Sequence, residues 1–181
     1  MPVKTDRNDA RAIAQIVRTG WFQAVHVKSV LSQELRGLLG ARKLLVGKVR
    51  DLDNTVRALL RSFGLKVRPI GERAFAERAH ELVEGRATLQ TALAPSLEAR
   101  AALLTQRDRL HRLIATAVRS DPICRRLMTA PGVGPVTALT FCSAVDDQSR
   151  FTRSRAVGAH FRLTPRCYQS GETDLSGDTA N

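Results

Sequence analysis

At 181 residues and 43% hydrophobic content, the chain carries enough apolar side chains for one or two domains with a core, which excludes wholesale disorder. Its 29 Lys and Arg against 17 Asp and Glu give a formal charge of +12, which points to a polyanionic partner, nucleic acid first, against the plainer reading of an Arg-rich helical surface. The apolar runs break well short of the roughly 20 residues of a membrane span and no signal-peptide core opens the chain, while Cys124, Cys142 and Cys167 form no CxxC pair, so the sequence reads as a soluble, intracellular protein with reduced thiols.

From Thr5 to Thr19, Ala10, Ile13, Ala14, Ile16 and Val17 recur at helical spacing and Gly20 is placed to end the segment. After the connection Trp21 to Val27, Ser29 or Ser32 caps a long helix that runs to about Phe63, where Gly64 stops it; Leu31, Leu35, Leu38, Leu39, Leu45, Val49, Leu52, Val56, Leu59 and Leu60 form its apolar stripe. Pro69 and Gly71 mark a turn, and a shorter helix is expected from about Glu72 to Val83, ending at Gly85. A second long helix runs to Ser120 from about Arg86 or Ser96, with Pro95 expected to kink or begin it. Two long amphipathic helices joined by a shorter hairpin predict an antiparallel coiled-coil arm or a dimerising bundle, with a monomeric bundle as the plain alternative.

From Asp121 the composition changes. Asp121-Pro122 opens a short helix ending near Ala130, Pro131-Gly132-Val133-Gly134-Pro135 makes a tight turn, and Val136 to Val145 resumes as a helix with Pro135 in its first turn. Another short helix, roughly Arg153 to Phe161, leads into a loop containing Gln169-Ser170-Gly171, and the polar segment that follows is expected to be disordered.

Three places carry chemistry-bearing residues. Asp6 and Asp9 fall on one face of a first helical turn, where two carboxylates can hold a divalent metal against a phosphate, although two oxygen ligands are too few for a complete magnesium site; helix capping and the macrodipole also account for them. The helix, Gly132-Val133-Gly134 turn, helix pattern is that of a helix-hairpin-helix, in which glycines let the backbone approach a phosphate and free N–H groups favour an anion; an ordinary tight turn is the rival. Ser170, with Arg166 close by and Arg153, Arg155 and Arg162 upstream, has the make-up of a phosphodiester nucleophile beside phosphate-binding arginines, but most Ser-Gly pairs are turns. His26, His80, His111 and His160 show no ligand spacing, and His160 alone is near enough in sequence to serve Ser170 as a proton partner.

Taken together, Lys4-Thr5-Asp6-Arg7-Asn8-Asp9-Ala10, Ala130-Pro131-Gly132-Val133-Gly134-Pro135-Val136-Thr137-Ala138 and Leu163-Thr164-Pro165 followed by Gln169-Ser170-Gly171 resemble the DEDD-type insertion-sequence transposases of bacteria and archaea, across almost the whole chain. The resemblance implies a RuvC-like, RNase H-type domain with four acidic Mg²⁺ ligands, a coiled-coil arm and a C-terminal transposase domain. It implies Asp6 and Asp9 as the last two of the four acids and Ser170 as the nucleophile that joins DNA covalently; the hairpin turn and the arginines around Ser170 add a candidate nucleic-acid-binding set of Gly132, Val133, Gly134, Thr137, Arg153, Arg155 and Arg166. DNA, a structured bridge RNA and further copies of the chain, joined through the arm, are the implied partners, in a cytoplasmic, nucleoid-associated setting.

The sequence departs from that pattern in beginning at the third acid, in placing Arg162 where family members usually have Gly before Leu-Thr-Pro, and in ending where they continue with a basic segment. The expectation is a mainly α chain: residues 1–27 the end of a RuvC-like domain, 28–120 the helical arm, 121–172 a helix-hairpin-helix transposase domain and 173–181 a disordered tail, from a truncated and catalytically impaired copy. The alternatives are a non-catalytic nucleic-acid-binding helical protein and a coiled-coil assembly module whose charge is incidental.

Overall fold

The structure, a computed structural model, describes residues 5–22 and 24–163 together with the backbone of 165–170 and 173–179. It is mainly helical. Helix α1 spans Asp6–Thr19, α2 Val30–Ser62, α3 Phe75–Leu82, α4 Ala87–Ser120, α5 Pro122–Leu127, α6 Pro135–Val145 and α7 Ser154–His160, with a 3-10 turn at Gln148–Arg150. Strands β1 (Pro165–Ser170) and β2 (Thr173–Thr179) close the chain as an antiparallel hairpin.

Local chemistry sets most boundaries. Thr5 accepts the Asn8 N–H at 3.3 Å to start α1, and the Ser29 hydroxyl accepts the Ser32 N–H at 3.2 Å to start α2. Asp121 accepts from Ile123 and Cys124 N–H at 2.7 and 3.1 Å and thereby opens α5. Helices α1 and α2 end on left-handed glycines, Gly20 at φ +68° and Gly64 at φ +74°. In both, the glycine N–H and the next N–H reach back to the last turn: Gly20 to Val17 and Trp21 to Ile16, Gly64 to Arg61 and Leu65 to Leu60. Pro95 neither begins nor breaks α4, which runs through it from Ala87; its missing N–H leaves one carbonyl of the preceding turn without a backbone donor, and packing on both sides holds the helix together.

Helices α2 and α4 lie antiparallel along a length of about 50 Å, from 33 residues at 1.5 Å rise. Their shared seam is split into two cores. At the far end, Val56 and Leu60 of α2 and Leu89, Leu93 and Leu97 of α4 close around Phe75 and Ala79 of α3 and Val83. At the near end, Ile114 and Val118 of α4 pack with Cys124 of α5 and Ala138 and Leu139 of α6, covered by Leu35, Leu38 and Leu39 of α2. Helices α5 and α6 therefore have no core of their own: they complete the base of the long pair, across position 120.

A charged group borders the far core. Arg100, 3% exposed, donates to Asp53 Oδ1 at 2.5 Å and to the Glu72 carbonyl at 2.9 Å, and its guanidinium lies 4.7 Å from the centroid of the Phe75 ring, as does that of Arg57. Such a cation is tolerable there because its hydrogen bonds and a ring face replace water. Beside it Arg107 bridges Glu72 and Asp108, and the Arg107 bond holds the Glu72 carboxyl below its ordinary range.

Helix α1 contributes nothing to either core. None of its residues is buried, and Ile13, Ile16 and Val17, with Trp21 and Phe22 after it, are exposed. The segment expected as a disordered tail is, over Thr173–Thr179, strand β2, with Ser170 paired to Thr173 and Tyr168 to Leu175. The pairing gives the backbone of a polar segment hydrogen-bond partners that a lone tail would lack.

Candidate nucleic-acid interface

The hairpin α5–turn–α6 is the best-defined of the three candidate regions. After α5 the chain tightens through Thr129 N–H to Arg126, Ala130 N–H to Leu127 and Val133 N–H to Ala130. Gly132 sits at φ +82°, which is why glycine is needed there. Gly134 is different. Its φ of −92° and ψ of 176° suit any residue, and a Cβ built on it would meet nothing within 4 Å. Nothing in this chain's own packing asks for glycine at 134. It is the N-cap of α6 without a side-chain cap, and the N–H groups of Val136 and Thr137 that follow belong to the unsatisfied first turn, Thr137 lying exposed. Arg125 and Arg126 on α5 are exposed as well.

The base of the hairpin is fixed by a residue that sequence reasoning did not single out. Asp146, the C-cap of α6, takes φ +65° with ψ −80°, a positive φ uncommon outside glycine, asparagine and aspartate and outside the left-handed helical region. Its carboxylate accepts from Ser29 N–H at 2.8 Å, Ser29 Oγ at 2.6 Å, Ser32 Oγ at 2.5 Å and His26 Nε2 at 2.7 Å. These hydroxyl and amide donors, those of the two serines foremost, hold the carboxyl well below the usual aspartate range. Lys28 Nζ donates to the Ala144 carbonyl alongside, and burial lowers the lysine's affinity for its proton. Asp146 thus ties the connection before α2 to the end of α6. The one sequence signal for it was an Asp-Asp pair ending an apolar helix where a glycine would be ordinary.

Between α2, α5, α6 and α7 lies a groove of about 560 Å³, lined by Leu31, Leu35, Leu127, Phe141, Val145 and Val157 among others, with Asp121, Asp146, Arg126 and Arg153 at its polar edge. Its walls are mainly apolar and its charges mixed, unlike a groove for a phosphate backbone. Of the predicted nucleic-acid-binding residues it gathers only Arg153; Arg155 lies exposed on α7. Ser170 is the last residue of β1, at the turn end of the hairpin, rather than within a longer loop, and Arg166 is the second residue of the same strand, opposite Gly177. His160, the expected proton partner, instead meets the Ala144 carbonyl at 3.3 Å and the rings of Phe151 and Phe161 edge-on.

Asp6 and Asp9 both project from the first turn of α1, exposed and with no ion pair among the described residues. No third carboxylate, histidine or cysteine joins them: among the described residues the one group that could hold a metal is Asp121, Cys124 and Cys142. The pair therefore fits half of a divalent-metal site, and no chemical step can be derived through it from this chain alone.

Two family models match the chain. One, described as the transposase IS116/IS110/IS902 family, covers residues 124–180 and so takes in the hairpin, α7 and both strands. The other, a transposase model of the DEDD type of IS110, covers residues 2–64, with Asp6, Asp9, α1 and α2. The chain belongs to this insertion-sequence transposase family. Among similar proteins, the IS110-type chain is 31% identical over 176 residues to the transposase for insertion sequence element IS1111A of Coxiella burnetii, covering 95% of itself and 48% of that relative. It is 30% identical over 191 residues to a probable family 20 transposase of Pseudomonas aeruginosa, at 97% and 53% coverage, and 27% identical over 176 residues to the transposase for insertion sequence element IS1328 of Yersinia enterocolitica, at 93% and 52%. The chain spans about half the length of these curated relatives. No helix among the described residues is long and apolar enough to cross a membrane.

Proposed function

We propose that this chain is the nucleic-acid-holding portion of an insertion-sequence transposase, gripping the sugar-phosphate backbone of DNA through the α5–α6 hairpin while the α2–α4 pair joins copies of the protein. The observation that carries this reading is the start of α6: Gly134 caps it without a side-chain hydrogen bond, so the N–H groups of Val136 and Thr137 stay open to an anion, with no side chain at 134 in front of them. The net charge of +12 supplies the long-range attraction. Thr137, Arg153, Arg155 and Arg166 complete the proposed contact set, and a structured bridge RNA is a second polyanion that the same charge serves.

Cutting and rejoining DNA is the activity proposed for the whole protein, with Mg²⁺ as the divalent ion, Asp6 and Asp9 as two of its ligands and Ser170 as the attacking hydroxyl. The exposed apolar stripe of α1 supports placing that helix in a RuvC-like domain, whose other parts would cover Ile13, Ile16 and Val17. Because Asp6 and Asp9 supply only half of a metal site, this chain alone is expected to bind DNA without cleaving it.

The test is fluorescence anisotropy on labelled duplex DNA over a salt series. A steep loss of affinity with salt, and a drop of at least fivefold for Gly134→Val at unchanged helicity, are expected. Salt-insensitive or Gly134-insensitive binding would remove the hairpin from the interface and leave the assembly-module reading. Ser170→Ala separates enzyme from binder: it should abolish any covalent protein–DNA adduct while leaving affinity within twofold.

A further inference from the structure

Cys124 and Cys142 face each other across the base of the hairpin, one on α5 and one on α6, with their sulfurs 3.2 Å apart and Cys124 donating its S–H to Cys142. Both are free thiols. Their surroundings differ. Cys124 is fully buried among Ile114, Val118, Ala138 and Leu139, whereas Cys142 is half-buried and lines the 560 Å³ groove. A small solute in the groove therefore meets Cys142, and Cys124 is reached only from the sulfur beside it. A disulfide needs the two sulfurs to close by about 1 Å more, to about 2.05 Å.

We propose that this pair is an oxidative modification site with fixed roles, in which a peroxide entering the groove oxidises Cys142 and Cys124 then closes an internal disulfide that staples α5 to α6. Cys142, as thiolate, attacks one peroxide oxygen; the O–O bond breaks, a sulfenic acid forms on Cys142 and the second oxygen leaves as hydroxide, which takes up the thiol proton as water. Cys124 then gives up its proton and attacks the Cys142 sulfur; the S–S bond forms, the S–O bond breaks and a second water leaves. In sum two thiols and one peroxide give one disulfide and two waters, the sulfur pair losing the two electrons that the peroxide gains. Burial pushes both thiols up, but the S–H bond from Cys124 works the other way on Cys142, which favours it as the first to react.

The same neighbourhood includes Asp121, and the three side chains would offer three donor atoms to a soft metal. The dithiol reading is preferred because among the described residues no fourth donor completes a tetrahedron, and Oδ1 of Asp121 is already engaged in capping α5, with Ile123 and Cys124 N–H as donors.

The experiment treats the full chain, in a Cys167→Ser background that removes the third thiol, with one equivalent of hydrogen peroxide, followed by intact mass and peptide mapping. The expected product has lost two hydrogens, carries a Cys124–Cys142 link, melts at higher temperature and reverts with dithiothreitol. Cys124→Ala should accumulate a sulfenic acid on Cys142 that a dimedone probe captures. Cys142→Ser, which spares the buried position, should leave Cys124 unreacted. Over-oxidation without a link, preferential labelling of Cys124, or one equivalent of zinc bound to the untreated protein would overturn the proposal.

Discussion

Arg162 stands in the role that glycine plays elsewhere in this molecule, and replacing it should stabilise the end of α7. Its φ is +60°, its N–H reaches the Ala159 carbonyl at 2.9 Å and the next N–H, of Leu163, reaches Gly158 at 2.9 Å. That is the bonding pattern of Gly20 after α1 and Gly64 after α2. A side chain in the left-handed region costs roughly 1–2 kcal/mol. Introducing glycine returns about 0.4–1 kcal/mol of that through the greater freedom of the unfolded chain, so Arg162→Gly should gain about 0.5–1 kcal/mol. Arg162→Asn tolerates the same backbone without glycine's added entropy and should gain a similar amount. The Arg162 side chain is exposed and has no ion pair among the described residues, so the lost charge contributes within about 0.5 kcal/mol. Hydrogen exchange at Arg162 and Leu163 is the decisive assay, because α7 buries none of its residues and can open locally: protection should rise two- to fivefold. Gly64→Ala, at φ +74°, should move the other way by about 1–2 kcal/mol. Unchanged or reduced protection in both Arg162 variants would show that the backbone there carries no strain.

Gly132→Ala should cost about 1–2 kcal/mol in urea denaturation, because φ +82° and not crowding makes glycine necessary; a neutral result would mean the turn rearranges freely. Asp53→Ala should cost about 2–4 kcal/mol, measured the same way, by leaving the buried Arg100 guanidinium with one carbonyl acceptor; the Asp53→Ala/Arg100→Met pair should recover part of it, and simple additivity would argue against the buried ion pair. The Asp146 carboxyl is held below its ordinary value in the folded state, so its contribution is fully present above the unfolded pKa of about 3.9 and is lost as pH falls through the folded value. Acid unfolding followed by circular dichroism should therefore be less steep below about pH 4 in Asp146→Asn, and an unchanged acid limb would place the acid sensitivity elsewhere.

Helices α1 and α2 were legible because each is written twice, once in its apolar period and once in its ends, whereas α3, α4 and α7 start without a side-chain cap. Ser29, Gly64, Asp121 and Pro135 act where capping chemistry puts them, and the seam residues Val56, Leu60, Ile114 and Val118 are buried as their spacing requires. Of the two starts the sequence allowed for α4, about Arg86 or Ser96, the structure takes the first and carries Pro95 inside the helix, where Leu93 and Leu97 on either side are buried against α2 and α3 and hold the backbone through the missing bond. The β1–β2 pairing was overlooked because Thr173 to Thr179 is polar and holds a glycine, Gly177, so no apolar alternation marks it as a strand. Asp146 escaped entirely, since its partners are more than one hundred positions away and no local rule brings Ser29 and Ser32 to the end of α6.

The acids divide by what this chain needs of them. Asp146, with four hydrogen bonds and a positive φ, resembles a functional centre by every local measure, yet each of its donors belongs to α2 or the connection before it, so its work is to hold α2 and α6 in register. Asp6 and Asp9 make no such bonds among the described residues, and α1 buries none of its residues; the favourable field of a helix start is worth a few tenths of a kcal/mol to about 1 kcal/mol for each. The fold thus gives Asp6 and Asp9 little to do, which agrees with the role of metal ligands proposed for them. Asp9→Ala should accordingly leave thermal stability within about 1 kcal/mol, and a larger loss would return Asp9 to a structural role.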